Sequence, residues 1–314
     1  DATKIPTILN QSHILSGGVN VPGGATPAAL PFRIINDRTL TIVRESAEPT
    51  VSWYDPGEKV TGEELDTTTT SFTIRGIKTR VPVPREVREG SSSLVDQVDT
   101  QLKGQLKGMT TRLMKGFYYG DNATNSKEPS GVHKLASTAS PDMTIAESSS
   151  DTPSALNLTN LDDLISRMKN GVDMFVTSRQ LWRRFTAATR NTATGVGGLV
   201  RYGLTEWGKP VLEYAGIPIF VDDYLVDTEN TASDVYSAET GGTGCSLIAV
   251  KFGPDDLHAV TFGQAGPVAT LLKGPTQDYD GHIIWLTWDV GFVLRSPYAI
   301  GVIEGIDPAA AIVA

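Results

Sequence analysis

The sequence has little of the chemistry on which most enzymes and metalloproteins depend. Among 314 residues there is one cysteine, Cys245, and there are four histidines, which lie far apart. A single cysteine excludes an intramolecular disulfide framework and any multi-cysteine metal or iron–sulfur site. His13, His133, His258 and His282 form no HExxH pattern. No G-x-S-x-G turn or phosphate-binding glycine loop is present, so we predict a protein that is not an enzyme and has no cofactor or metal.

Basic charge and long apolar runs are also scarce. The chain has 27 Lys and Arg against 36 Asp and Glu, a net charge of −9. This balance argues against a protein whose main role is to coat nucleic acid, because phosphate binding needs clustered cations. No apolar run approaches the roughly 20 residues that span a bilayer, and no signal peptide pattern opens the chain. With 39% hydrophobic and 20% charged residues, the composition predicts a soluble globular protein without a membrane partner.

The first residue of the sequence is Asp1 instead of methionine. Removal of an initiator methionine usually requires a small second residue, which aspartate is not. Either proteolysis removes an upstream segment or this sequence starts late. We keep proteolysis as a hypothesis, which an intact-mass measurement compared with the reading frame would test.

The first quarter of the chain contains little that could form a core. Residues 1–33 are rich in glycine and proline, which predicts an arm that is either disordered or bound to something else. In residues 34–82, two strand-like stretches flank a polar, threonine-rich centre. This pattern predicts a long two-stranded excursion with too few large apolar residues for a core of its own. A loop of this length is unusual in a compact domain unless it acts on a neighbouring molecule.

The rest of the chain predicts an α+β fold. Residues 94–117 have apolar residues at steps of three and four, which predicts a long helix. Gly104 and Gly108 share one face of it, which we interpret as room for the close approach of another backbone. A shorter helix with its apolar face at residues 161–168 has Thr159 or Asn160 as a candidate N-cap. Six apolar residues alternate from Ile284 to Leu294, which predicts a long strand with one buried face.

A cluster of five cations in residues 75–88 stands out in this acidic chain. It is either a solvated strand edge that resists wrong pairing, or a contact with acidic residues of a neighbouring subunit. A nucleic-acid groove is a third interpretation, which the absence of interleaved aromatic residues disfavours. The candidate subunit-interface residues are Trp53, Glu63, Glu64, Asp66, Arg75, Lys78, Arg80, Arg85 and Arg88.

Four segments, in order along nearly the whole chain, carry a resemblance to a known family. They are Phe117-Tyr118-Tyr119-Gly120-Asp121 with Pro129-Ser130-Gly131-Val132, then Phe175-Val176-Thr177-Ser178-Arg179-Gln180-Leu181-Trp182, then Tyr214-Ala215-Gly216-Ile217-Pro218-Ile219, and finally Arg295-Ser296-Pro297-Tyr298-Ala299-Ile300. Together they resemble the major capsid protein of tailed bacteriophages. That protein has the Hong Kong-type fold, which encapsulins share.

The resemblance implies a division of the chain into five parts. They are an N-terminal arm at 1–33, an extended loop at 34–82, a peripheral domain at 83–168 with a spine helix at 94–117, an axial domain at 169–267, and a return to the peripheral domain at 268–314. The extended loop would lie over an adjacent subunit, which would explain why it has no core of its own.

The resemblance also implies the function and the partners. We expect a structural protein that self-assembles into pentamers and hexamers of an icosahedral phage head enclosing double-stranded DNA. Its partners would be copies of itself, with scaffold, portal, protease and decoration proteins as further candidates. It would be assembled in the cytoplasm of a bacterial host and would be located in the virion.

Two alternatives remain at this point. An encapsulin-like compartment shell shares the fold but packs a cargo enzyme in place of a genome. A hydrolase or a soluble binding protein is a remote alternative from another class. A compact monomer with a radius of gyration of about 20 Å would support the remote alternative.

Overall fold

The computed structural model describes residues 30–47, 51–59, 62, 66–84, 94–148, 152–190, 200–204, 210–229, 242–263, 267–272 and 281–313. The predicted arm, apart from its last four residues, lies outside these ranges. The elements in chain order are β1 (Phe32–Ile35), β2 (Thr39–Ala47), β3 (Asp66–Thr73), β4 (Arg75–Pro84), α1 (Leu94–Tyr119), α2 (Val132–Ala139), β5 (Thr144–Ala146), α3 (Leu158–Arg167), β6 (Met174–Thr177), α4 (Arg179–Arg190), β7 (Val200–Leu204), β8 (Pro210–Tyr214), β9 (Ile217–Val221), β10 (Cys245–Val250), β11 (Leu257–Phe262), β12 (Val268–Leu272), β13 (Gly281–Leu294) and β14 (Ile300–Ile306).

The strands form two large sheets and one separate hairpin, which confirms the predicted α+β class. A five-stranded sheet has the order β1-β11-β13-β12, with β4 also paired to β13. A seven-stranded sheet has the order β5-β14-β10-β6-β9-β8-β7. Strands β2 and β3 pair only with each other, antiparallel. The strands at either side of this hairpin, β1 and β4, belong to the five-stranded sheet, so residues 39–73 are the part of the chain that leaves the body.

Strand β13 holds the five-stranded sheet together. It is 14 residues long and pairs with β4 over ten of them, and with β11 and β12 as well. Five of the six alternating apolar residues are buried, from Leu286 to Leu294, and Ile284 is only half-buried. The predicted long strand with a buried face is therefore confirmed. The sheet packs its apolar face against α1 and α2.

The seven-stranded sheet separates two hydrophobic clusters. Along β6, Met174 and Val176 contribute to the cluster that includes α1, whereas Phe175 between them contributes to the cluster that includes α3 and α4. Along β10, Ile248 contributes to the cluster that includes α1, and Leu247 contributes to the cluster that includes α3 and α4. Because successive side chains of a strand point to opposite faces, a strand that is covered on both faces is buried at every position. This explains why every residue of these two strands is buried.

Two details of the helices differ from the sequence-based expectations. No atom of the described residues, beyond their own helix and chain neighbours, lies within 4 Å of a Cβ built on Gly104 or Gly108, so neither glycine admits a close backbone in the subunit. The N-cap of α3 is Asn157, not Thr159 or Asn160, and its side chain accepts a hydrogen bond from the Thr159 amide at 2.9 Å. Among the described helices none is both long and apolar enough to cross a membrane.

Helix α1 runs two residues beyond its predicted end and stops at a close approach of two backbone segments. The amide of Gly131 donates a hydrogen bond to the carbonyl of Gly120 at 2.7 Å. A Cβ on Gly131 would lie 2.7 Å from the carbonyl oxygens of Gly116 and Phe117, closer than a carbon atom can approach. This contact explains the two glycines in the first segment of the resemblance.

The substitution Gly131→Ala is therefore expected to destabilise the subunit by about 1–3 kcal/mol, since overpacking against backbone cannot be relieved by a side-chain rotation. The backbone of Gly131 is extended with φ −87°, which alanine also adopts, so the cost is steric. Urea unfolding measures it. The control is Gly104→Ala, which meets nothing and should stabilise the exposed helix by up to about 1 kcal/mol. Equal stability of Gly131→Ala and the wild type would contradict the prediction.

Candidate subunit-interface surfaces

The β2–β3 hairpin contacts the body through its base and through Arg44, which pairs with Thr68 further out along the hairpin. The Arg44 guanidinium donates hydrogen bonds to the carbonyls of Leu294 and Arg295 in the body. Ile42 and Phe72 are buried near this base, and Arg44 lies over the Phe72 ring at 5.9 Å. Residues 66–69, at the outer end of β3, are all exposed. The outer end of β3 is thus exposed in the single chain, although Arg44 ties the neighbouring strand to the body.

The connection between β2 and β3 presents an exposed aromatic side chain. Trp53 is fully exposed, and Val51 is 87% exposed. They precede a turn in which the Glu58 amide donates to the Asp55 carbonyl at 3.0 Å and the Asp55 amide donates to the Glu58 carboxylate at 3.1 Å. Large apolar side chains that are fully exposed in a monomer commonly mark an interaction site when they stand among polar residues.

The structure separates the predicted basic cluster into two faces of β4. Lys78 and Arg80 are exposed and lie on one face because they are two residues apart. Arg75 is half-buried on the other face, and its guanidinium donates to the Asn122 side chain at 3.1 Å. Glu63, Glu64, Arg85 and Arg88 lie outside the described residues.

The remaining predicted acid, Asp66, is exposed at the outer end of β3. The other end of that strand, Thr73, adjoins the start of β4. A strand rises about 3.3 Å per residue, which places Asp66 roughly 23 Å along β3 from Thr73, at the end next to β4. The hairpin therefore holds this acid away from the cations of its own β4, and the described residues do not bring the two predicted charge sets together within one chain.

A cleft of about 300 Å³ lies between the start of β4, the second half of α1 and the loop at 125–129. Four cations line it, namely Arg75, Lys78, Arg112 and Lys127, against one carboxylate, Glu128. Glu128 is already engaged, because Arg112 and the Asn125 amide both donate to it. The sequence analysis did not include Arg112 or Lys127, which are distant from β4 in sequence. The cleft is a basic site with an apolar floor.

A second feature that the sequence analysis missed is a buried polar network at the end of α1. Tyr118 donates to the Asp222 carboxylate at 2.9 Å, and Tyr119 donates to the Glu229 carboxylate at 2.5 Å. The Ser246 hydroxyl also donates to Glu229, and His133 Nε2 lies 3.9 Å from it. These bonds link α1 to the segment after β9 and to β10. No local signal marks Glu229, which stands at the start of a polar stretch that resembles a loop.

Burial sets the protonation of this network. Desolvation raises the pKa of Glu229 to about 8, although the hydroxyls of Ser246 and Tyr119 lower it in part. Desolvation lowers the pKa of His133 to about 3. Burial likewise raises the pKa values of Tyr118 and Tyr119. At neutral pH Glu229 and His133 are therefore mainly uncharged. Because the side chains of this network are enclosed, they join elements of the fold and do not present a reactive group to a substrate.

The residues that could carry other chemistry are few. Cys245 is buried, and burial raises the pKa of its thiol, which disfavours the reactive thiolate. Among the residues that the structure describes, no group of three or more His, Cys, Asp or Glu side chains is placed to hold a metal ion. The exposed hairpin and the basic cleft are thus the two surfaces that suggest a role.

The comparisons with known proteins place this geometry in a fold. No protein-family model matches the sequence, and no curated protein matches it. Solved structures do match. The SrpI encapsulin from Synechococcus elongatus PCC 7942 aligns with a TM-score of 0.60 at 12% identity over 90% of this chain and 87% of that one. A chain from Microbacterium phage Oxtober96 aligns with a TM-score of 0.60 at 15% identity over 90% and 91%.

A capsid chain from the native GTA particle also aligns, with a TM-score of 0.60 at 9% identity over 88% of each chain. The chain therefore has the Hong Kong-type fold of phage capsid and encapsulin shell subunits, as the four sequence segments predicted. At sequence identities this low, the structural similarity shows the fold of the protein and nothing more specific.

Proposed function

We propose that the protein is a shell-forming structural subunit, the major capsid protein of a tailed bacteriophage. The observation that carries the proposal is the β2–β3 hairpin, in which residues 66–69 at the outer end of β3 and Trp53 in the connection are exposed in the single chain. Burial of a large apolar side chain contributes about 1.5–3 kcal/mol, which this hairpin can gain only from another molecule. The match to shell subunits over about 90% of the chain supports the same role.

In this role the subunit assembles into pentamers and hexamers of an icosahedral head around double-stranded DNA. The extended loop at 34–82 contacts a neighbour, and the axial domain at 169–267 lies at the five- and six-fold axes. The predicted interface residues from Trp53 to Arg88 act at that contact. Many modest interfaces supply the strength of such a shell through repetition.

The wider setting belongs to the same proposal. The subunit is not an enzyme and acts in the virion after assembly in the host cytoplasm. Scaffold, portal, protease and decoration proteins are its further candidate partners. The net charge of −9 is consistent with a shell that encloses DNA without binding it tightly.

Negative-stain electron microscopy of the purified protein, with light scattering on the same sample, tests the proposal. We expect hollow angular particles, or rings of five and six subunits. A uniform monomer with a radius of gyration of about 20 Å, in buffers with and without crowding agents and salt, would overturn it.

An encapsulin-like compartment is the second candidate, and a specific observation favours it. The SrpI encapsulin matches the chain with the same TM-score as the phage structure. Particles isolated from the native source distinguish the two. Nuclease-protected DNA inside the particle supports a phage head, and an enclosed protein cargo supports a compartment.

A further inference from the structure

The two surfaces described above are complementary in charge. The sequence from Glu48 to Asp66 contains six carboxylates and one lysine. Of these, Asp55 and Glu58 are exposed beside Trp53 at the turn. The cleft is lined by four cations, and its one carboxylate, Glu128, is already paired. An acidic, aromatic segment is thus the chemistry that this cleft would bind.

The cleft also has unused hydrogen-bonding capacity. Arg75 Nε is buried and has no hydrogen-bond partner among the described residues. Within the same residues, Lys78 and Lys127 form no ion pair. A buried guanidinium N–H without an acceptor is costly, and an incoming carboxylate would satisfy it.

The floor and size of the cleft suit an aromatic side chain. Ile77, Leu113 and Val290 contribute its apolar lining. The cleft volume of about 300 Å³ is larger than an indole ring with its Cβ, so the cleft can admit this side chain. Arginine and lysine around the rim add a favourable interaction with the face of the ring.

We infer that Trp53 of one copy enters the basic cleft of a second copy, with Asp55 and Glu58 facing its cations. Trp53 does not fill the cleft of its own chain, because it is fully exposed. The donor and the acceptor are different surfaces, so the contact is head-to-tail, and repeated contacts generate either a closed ring or an open chain. The inference rests on the proposed function and names the contact that builds its rings.

Cysteine cross-linking tests the geometry directly. The native Cys245 is buried, so engineered surface cysteines react against a low background. The variant Ser52→Cys with Ser126→Cys places exposed cysteines beside Trp53 and beside the cleft and keeps every side chain of the proposed contact. It is treated with a short bis-maleimide and run on a denaturing gel. A head-to-tail contact links each copy to the next, and we expect a ladder of dimers, trimers and higher species. The control, Ser52→Cys with Arg183→Cys, places the second exposed cysteine on α4 and should give no ladder.

The energetic test compares Trp53→Ala with Trp53→Phe. Because the Trp53 side chain is fully exposed, neither change should affect folding. We expect Trp53→Ala to raise the protein concentration needed for assembly by about thirtyfold, as for a buried aromatic anchor, and Trp53→Phe to restore most of the assembly.

The outcomes separate this inference from the proposed function. Wild-type particles with a cross-linked ladder support both. Wild-type particles without a ladder, or with a Trp53→Ala variant that assembles normally, overturn the docking while the shell function stands. If cross-linking gives dimers and no larger species, the contact is two-fold symmetric, and the head-to-tail docking is also overturned. A wild-type protein that stays monomeric overturns both.

Discussion

Reversal of three cations on β4 is expected to abolish shell assembly while the subunit remains folded. The variant carries Arg75→Glu, Lys78→Glu and Arg80→Glu. Each attraction to an acidic segment of a neighbouring copy becomes a repulsion, and the loss recurs at every contact of the shell. If each charge contributes about 1 kcal/mol, the concentration needed for assembly rises at least about a hundredfold. Light scattering and electron microscopy measure assembly, and circular dichroism checks the fold.

A matched control separates this contact from general charge repulsion. Lys103→Glu, Lys107→Glu and Arg183→Glu make the same change of net charge at exposed helical positions outside the cleft. We expect this control to assemble like the wild type. If both triple variants fail equally, or if the β4 variant forms normal particles, the β4 cations do not form a specific interface.

The second large effect concerns pH, where Glu229→Gln is expected to remove a loss of stability in alkaline solution. Glu229 has a folded-state pKa of about 8, against an ordinary value of 4.5. The folded protein therefore holds a proton that the unfolded chain releases between these values, so stability falls as pH rises through this window and stays low above it. The slope for one group is about 1.4 kcal/mol per pH unit. A glutamine amide retains the acceptor for Tyr119 without the charge.

The burial of His133 changes the pH dependence of stability in the opposite direction, at lower pH. His133 has a folded-state pKa of about 3 against 6.5, so its contribution to stability increases with pH up to about 6.5. Burial also lowers the pKa of His258. The effect of Glu229 is thus clearest from pH 6.5 to 8, where we expect the wild type to lose about 2 kcal/mol relative to Glu229→Gln.

Denaturant unfolding at several pH values, with both proteins in the same assembly state, measures this difference. The control is Asp223→Asn, since Asp223 is an exposed carboxylate paired with Arg179 on the surface. It should change stability little and with no slope in this window. Parallel pH profiles for the wild type and Glu229→Gln would show that the buried carboxylate does not bind a proton in the folded state.

Features with a local pattern could be predicted from the sequence. The helix that begins at Leu94 and the strand that ends at Leu294 have apolar residues at the helical and strand periods. The step from β6 into α4 was also predictable, because Ser178 follows four apolar or β-branched residues and caps the helix. The four segments that resemble shell proteins lie at such boundaries, which is why they identified the fold.

The sequence by itself therefore determined the α+β class, the long helix, the buried strand and the exposed character of the hairpin, since each depends on neighbouring residues. Only the tertiary structure decided what those elements bring together. Tyr118 meets Asp222 across 104 residues, and the cleft joins β4 to Arg112 and Lys127. Which of Arg75 and Lys78 is half-buried depends on which face of β4 packs on α1. Contacts between distant segments follow from the packing of whole elements, and no local spacing of residues records them.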